Sequence, residues 1–181
     1  MVLNFILLLA FVAPSEKSLP VLPFEHWEAC PFECCKYGSW RAQADVPAFV
    51  SRTSSRVAFT IRKGERVQAV TGVVTTRKTG LVVLSRAYTF STGDGKEITV
   101  PAGGRVLTLH PGGEGVGYFW YRGATFDGEL YADTVSPSTP EYPREVLSLP
   151  KYEWWVKVRN AAGRVAWVRD PTDFKGQDAC G

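Results

Sequence analysis

Four cysteines and two histidines are the residues of this 181-residue chain most able to form covalent bonds or move protons near neutral pH. Cys30, Cys34 and Cys35 cluster in CPFECC, and Cys180 stands next to the last residue. As thiolates they could hold a metal. Structural zinc sites repeat C-x2-C twice, however, and C-x3-C-C with one distant cysteine does not match. A single activated thiol beside His26 or His110 would be a nucleophile. An even number of cysteines in an exported chain points instead to disulfides. A bond between adjacent Cys34 and Cys35 would strain the peptide between them. Cys30 is therefore expected to pair with Cys34 or Cys35, and the other of the two with Cys180. The long link closes most of the chain, worth roughly 4–5 kcal/mol by chain entropy.

Other chemical motifs fail on spacing. PGGEGVG (Pro111–Gly117) would need glycine where Tyr118 stands, and no helix follows, so it is no dinucleotide loop. Gly95-Lys96 lacks the next Ser or Thr of a P-loop. There is no Gly-x-Ser-x-Gly elbow. Nothing in the sequence brings acids such as Glu114 and Asp127 together. His26 falls in the segment before the main body and His110 at a hairpin end, so both read as surface or turn residues. No catalytic residue, metal ligand or cofactor is assigned on this checklist. The net charge of +3 does not indicate a nucleic-acid partner.

These residues need elements to position them. Hydrophobic residues make up 45% and charged ones 22%, enough to bury a core. The length suits one domain or two small ones. Met1–Ala13 is nearly all apolar and breaks at Pro14-Ser15-Glu16. It falls short of the ~20 residues of a membrane-spanning helix and suits a secretory signal, residues 1–15. Its only expected membrane role is that of this signal, and the mature chain is expected to be periplasmic or extracellular.

From Val46 onward short runs rich in Val, Ile, Phe and Thr alternate with glycine turns, which predicts an all-β fold of small barrels. Strands are expected at Val57–Ile61, Arg66–Val70, Gly72–Thr76, Leu81–Leu84, Ile98–Val100, Arg105–Leu109, Tyr118–Tyr121, Trp154–Val158 and Arg164–Val168. Pro111-Gly112-Gly113 reads as a turn, and Glu25–Trp40 as a turn or short helix. FTIRKGERVQAV (Phe59–Val70) echoes ITVPAGGRVLTL (Ile98–Leu109), with Gly64/Gly103, Arg66/Arg105 and Val67/Val106 identical. The echo predicts two copies of one β module.

WWVKVRNAAGRVAWV (Trp154–Val168) resembles the closing hairpin of bacterial SH3-like domains, with Ala166 where the family's glycine usually precedes the tryptophan. Val50-Ser51-Arg52, the Ser-rich loop, Val57–Ile61 and Lys63-Gly64 are similar to the family's opening. About 75 residues separate these halves. The expected architecture is therefore nested. Residues 44–76 with 151–171 form a split SH3-like barrel, and 77–134 an inserted β module. Residues 135–150, with Pro137, Pro140, Pro143 and Pro150, return the chain. Residues 16–43 carry the clustered cysteines and 172–181 form a tail. Tandem order is the alternative.

Arg41–Arg86 holds nine basic and two acidic residues, whereas Ala87–Pro150 holds four basic and eight acidic. The basic part would dock on the acidic part or meet an anionic partner. The resemblance implies a non-enzymatic binding module for cell-wall polymer or peptide. The residues expected to bind are Trp120, Tyr121, Tyr152, Trp154 and Trp155, with Arg52, Arg56 and Arg62 as a basic rim. Neighbours in a strand point opposite ways, so at least one of Trp154 and Trp155 must face the core; Trp167 is also expected there. The alternatives are a module docking an unknown protein, or a wall hydrolase using Cys35 or His110.

Overall fold

The computed structural model describes residues 19–91, 95–113 and 115–180. The expected signal segment and Glu114 lie outside them. The described chain is all-β. It begins with β1 (Phe24–Trp27), β2 (Gly38–Ala42), β3 (Val46–Phe49), β4 (Val57–Ile61) and β5 (Arg66–Lys78). Next come β6 (Gly80–Leu84), β7 (Tyr88–Ser91), β8 (Glu97–Val100), β9 (Arg105–Gly113), β10 (Val116–Tyr121), β11 (Ala124–Gly128) and β12 (Arg144–Ser148). The last three are β13 (Lys151–Arg159), β14 (Val165–Arg169) and β15 (Phe174–Lys175).

One sheet runs β15-β2-β5-β13-β14-β3-β4, with β1 also on β5; a second runs β12-β6-β9-β10-β11, and β7-β8 form a ribbon. β5 pairs antiparallel with β13 from Lys78↔Lys151 to Gln68↔Arg159, so the two distant stretches do close on each other. The strands between them, β6 to β12, build the second sheet and the ribbon. One β module is thus inserted into another, as the nested reading expects.

The two modules share a plan. β2-β5-β13-β14 in the first matches β6-β9-β10-β11 in the second, and the β3-β4 hairpin matches the β7-β8 hairpin. The echo in sequence has a counterpart in hydrogen bonds. Gly64 N donates to Ala42 O at 2.8 Å, and Gly103 N donates to Leu84 O at 2.7 Å. Ala42 N donates to Glu65 O and Leu84 N to Gly104 O, both at 3.0 Å. Gly64 and Gly103 sit at φ of 87° and 75°, a region glycine enters without a Cβ clash, which is why both copies keep it. Each module buries its own core. Trp40, Ile61, Val74, Val156, Val158 and Val168 fill the first, and Leu84, Phe90, Val100, Val106, Phe119 and Val146 the second.

Four local expectations are corrected. Glu25–Trp40 holds no helix but contributes β1 and most of β2. Arg66–Val70 and Gly72–Thr76 are one continuous strand, because Gly72 is a close approach and not a turn. A Cβ there would strike the Tyr37 hydroxyl and come within 3.1 Å of the Trp154 indole nitrogen. Pro111–Gly113 continues β9, where register shifts against β10 tolerate proline. The Pro-rich return contains β12, which pairs with β6. Its prolines flank the strand, and REVLS alternates, with Arg144 and Val146 buried and Glu145 and Leu147 exposed.

Gly72→Ala is accordingly expected to cost about 1–3 kcal/mol by overpacking. Tyr37 would also lose its hydrogen bond to Ala29 O, 2.9 Å in the native chain. Urea unfolding checks this; an unchanged midpoint would show that Tyr37 and Trp154 can move aside without cost.

Cys30 is bonded to Cys35 and Cys34 to Cys180, one of the two pairings left open by the sequence. All four sulfurs are consumed. Neither a thiolate metal centre nor a nucleophilic thiol has a sulfur left to use.

Candidate functional site

β1 occupies the position where the two modules meet. It pairs with the distal half of β5, Phe24↔Thr76 through Trp27↔Val73. Side chains alternate in a strand, so Phe24 and His26 face one side and Glu25 and Trp27 the other. Two sites follow from this alternation.

The inward site lies between the modules. Phe24 packs edge-on to Trp120. His26 Nδ1 lies 3.0 Å from His110 Nε2, and His110 Nδ1 lies 2.7 Å from Pro111 O. A carbonyl only accepts, so His110 carries its proton on Nδ1 and presents a bare Nε2. His26 therefore donates from Nδ1 and keeps a lone pair on its own Nε2. Tyr118 stacks on His110 at 4.6 Å and meets His26 edge-on at 4.4 Å. Burial holds His110 far below its usual range, at about 4, and also lowers His26, against which Asp127 pulls upward. The pair is neutral at pH 7. A cavity of about 200 Å³ opens beside it, lined by Phe24, His26, Tyr118, Thr125 and Asp127 among others.

The sequence reading put His110 at a hairpin end as a surface or turn residue. It is fully buried within β9, and His26 is half-buried. Thr76 Oγ1 donates to Leu109 O at 2.9 Å beside it. The polar pair joins the modules, and Tyr118, Tyr152, Thr125 and Asp127 are the polar side chains around it.

The outward site is aromatic. Trp27 is 48% exposed and meets Trp167 edge-on at 6.2 Å. The Arg52 guanidinium lies 5.1 Å from the Trp27 ring and 5.5 Å from the Trp167 ring. Glu25 fixes it from the same strand face as Trp27, through an ion pair of 2.8 Å. Arg52 in turn holds the Glu25 carboxyl below its ordinary range. Lys157 Nζ sits 5.8 Å from the Trp167 ring centroid. Trp155 and Phe49 pack edge-on underneath, and the Trp155 indole N–H donates to Glu153 at 2.9 Å. The result is a packed floor on which the exposed Trp27 indole meets the partly buried Trp167 indole, both in cation–π contact with Arg52.

The residues expected from sequence do not assemble into one groove. Trp154 is buried in the first core against Phe32 and Trp40. Trp155 is buried on the opposite face. Trp120 points to the junction, and Tyr121 packs on the second core under Arg122. Tyr152 lies near His110 at the junction, 6.5 Å between rings, with burial raising its hydroxyl pKa. Strand alternation separates each adjacent pair. Arg52 is committed to Glu25 and the indoles, and Arg62 to Asp45 at 2.7 Å. Arg56 is exposed on the β3–β4 loop with its side chain in solvent.

Trp27, Phe49 and the contact of Trp167 with Trp27 were missed. The signal available was the two-residue alternation of FEHW, which separates Phe24 and His26 from Glu25 and Trp27. No family model matches the chain, and neither a curated protein nor a solved structure matches it.

Proposed function

We propose that the protein is a non-enzymatic, exported SH3-like binding module that recognises a cell-wall polymer or peptide through the Trp27–Trp167 face. The observation that carries this reading is the half-exposed indole of Trp27. A core would bury it, and a disordered surface would leave it free. Here it is held at a set angle to a second indole by a guanidinium that is itself pinned by a carboxylate. Rigid aromatic rings with cations at their edges suit the apolar face of a sugar ring or a peptide side chain, since little side-chain entropy is lost on contact. Two disulfides are compatible with an oxidising compartment and so with export.

Trp27→Ala and Trp167→Ala are each expected to weaken retention on purified peptidoglycan by about ten-fold, while Trp120→Phe leaves it unchanged. Trp27 is half exposed, so its replacement is expected to lower stability by only about 1 kcal/mol. Retention that survives the Trp27/Trp167 double variant would overturn the assignment of this face. A protein captured through the same face without wall affinity would favour the protein-docking alternative.

A further inference from the structure

The outer face of the first module carries an unusual charge pattern at its other end. Lys175 on β15 stands directly opposite Arg41 on β2, and Arg41 directly opposite Arg66 on β5. Three cations thus lie in one row across three neighbouring strands. Like charges in direct register are destabilising. Among the described residues none of the three is in an ion pair. Arg41 Nε donates to Gly64 O at 3.2 Å and Arg66 Nη1 to Ser39 Oγ at 3.4 Å, both neutral acceptors. A cavity of about 180 Å³ opens at the end of the row, lined by Arg41, Ala42, Gln43, Lys63, Gly64 and Lys175. Its lining holds three cationic side chains and no carboxylate.

The second module supplies an internal control. The equivalent row on β12, β6 and β9 reads Glu145, Val83, Arg105. There the same plan has one cation, one carboxylate and a neutral residue between them. The fold therefore does not require three cations at this place. They are tolerated in one copy against their mutual repulsion, and a bound anion would relieve it.

We propose that Arg41, Lys63 and Lys175, with Arg66 beside them, form a binding site for a phosphate group carried by a soluble or polymeric ester. Several convergent cations match the charge of a phosphate better than that of a single carboxylate, and the planar guanidinium suits two phosphate oxygens at once. Along β5 the site lies seven positions from Val73, the partner of Trp27, about 23 Å away by strand rise. A polymer could touch both, but the phosphate site does not depend on the aromatic reading.

The test is a titration of the isotope-labelled full chain with inorganic phosphate, at constant ionic strength, with acetate as the control. Saturable amide shifts confined to Ala42, Gly64 and Lys175 are expected. Arg41→Gln and Lys175→Glu should each weaken the affinity about ten-fold. The same Arg41→Gln should leave the melting temperature unchanged or raise it, since it removes a like-charge neighbour; a merely structural arginine would lower it. Poly(glycerol phosphate) should compete with inorganic phosphate for the site. Shifts that are linear, or equal with acetate, overturn the proposal. Retention on phosphatidylglycerol vesicles without a saturable phosphate response overturns it as well, because diffuse attraction to a membrane needs no built site. Loss of peptidoglycan retention in the Trp27 variant leaves these shifts intact, so the two readings fail separately.

Discussion

Replacing Cys34 and Cys180 together by alanine is expected to lower the unfolding free energy by about 5 kcal/mol. The bond joins residues separated by 146 positions, so it holds a loop that includes nearly every strand. Most of its effect lies in the unfolded chain, whose freedom the crosslink removes. The folded contacts around it persist on their own: Lys36 N donates to Gln177 O at 2.7 Å and Ala179 N to Cys34 O at 2.8 Å. The Cys30–Cys35 bond spans only five positions. The same entropy argument assigns it about 2 kcal/mol. Urea unfolding of the two double variants decides the matter. The long-range variant should lose more stability and show a steeper denaturant dependence, since its unfolded chain exposes more surface. Equal losses for both pairs would show that local packing around CPFECC, and not closure of the long loop, is the stabilising agent.

Acidification between about pH 6.5 and 4 is expected to remove about 3 kcal/mol of stability through His110. In the folded chain its pKa is depressed to about 4, chiefly by burial, with the Pro111 carbonyl pulling upward and His26 downward. The unfolded chain binds the proton first as pH falls. The contribution is therefore complete above the unfolded value near 6.5 and lost progressively toward the folded value. His26 acts in the same direction. A proton on His110 Nε2 would face the Nδ1–H of His26, so His26 must turn or give up its proton. The other groups facing the pair are Tyr118, Tyr152 and Asp127, and only Asp127 favours the cation. Glu25 and Asp45 have lowered pKa values, so their losses begin below about 4.5 and fall in a lower window. Urea midpoints measured from about pH 7.5 down to 4.5 should decline for the native chain and much less for His110→Gln. Identical slopes would place the titration elsewhere and remove His110 from the account.

Trp154–Val158 and Arg164–Val168 were legible because period-two alternation and a glycine turn are local signals. The Gly64 and Gly103 turns were legible for the same reason, and their similarity carried over into matched hydrogen bonds. β1 and β12 were not recognised, being short and flanked by prolines or cysteines that read as loop. The aromatic groove expected from Trp120, Tyr121, Tyr152, Trp154 and Trp155 did not form, because alternation sends neighbours to opposite faces.

From its residues alone this chain determined an all-β build, a repeated strand–glycine turn–strand pattern, and a short menu of cysteine pairings. Each of these rests on chemistry within a few positions of the chain or on counting. The pairing of β5 with β13 decided that one module lies inside the other. Tertiary structure alone decided that His26 meets His110 across 84 positions, that Arg52 is spent on Glu25, and that Lys175, Arg41 and Arg66 share a row. Those juxtapositions depend on the register between strands far apart in sequence. A slip of one residue would turn every side chain to the other face, and no local preference fixes that register.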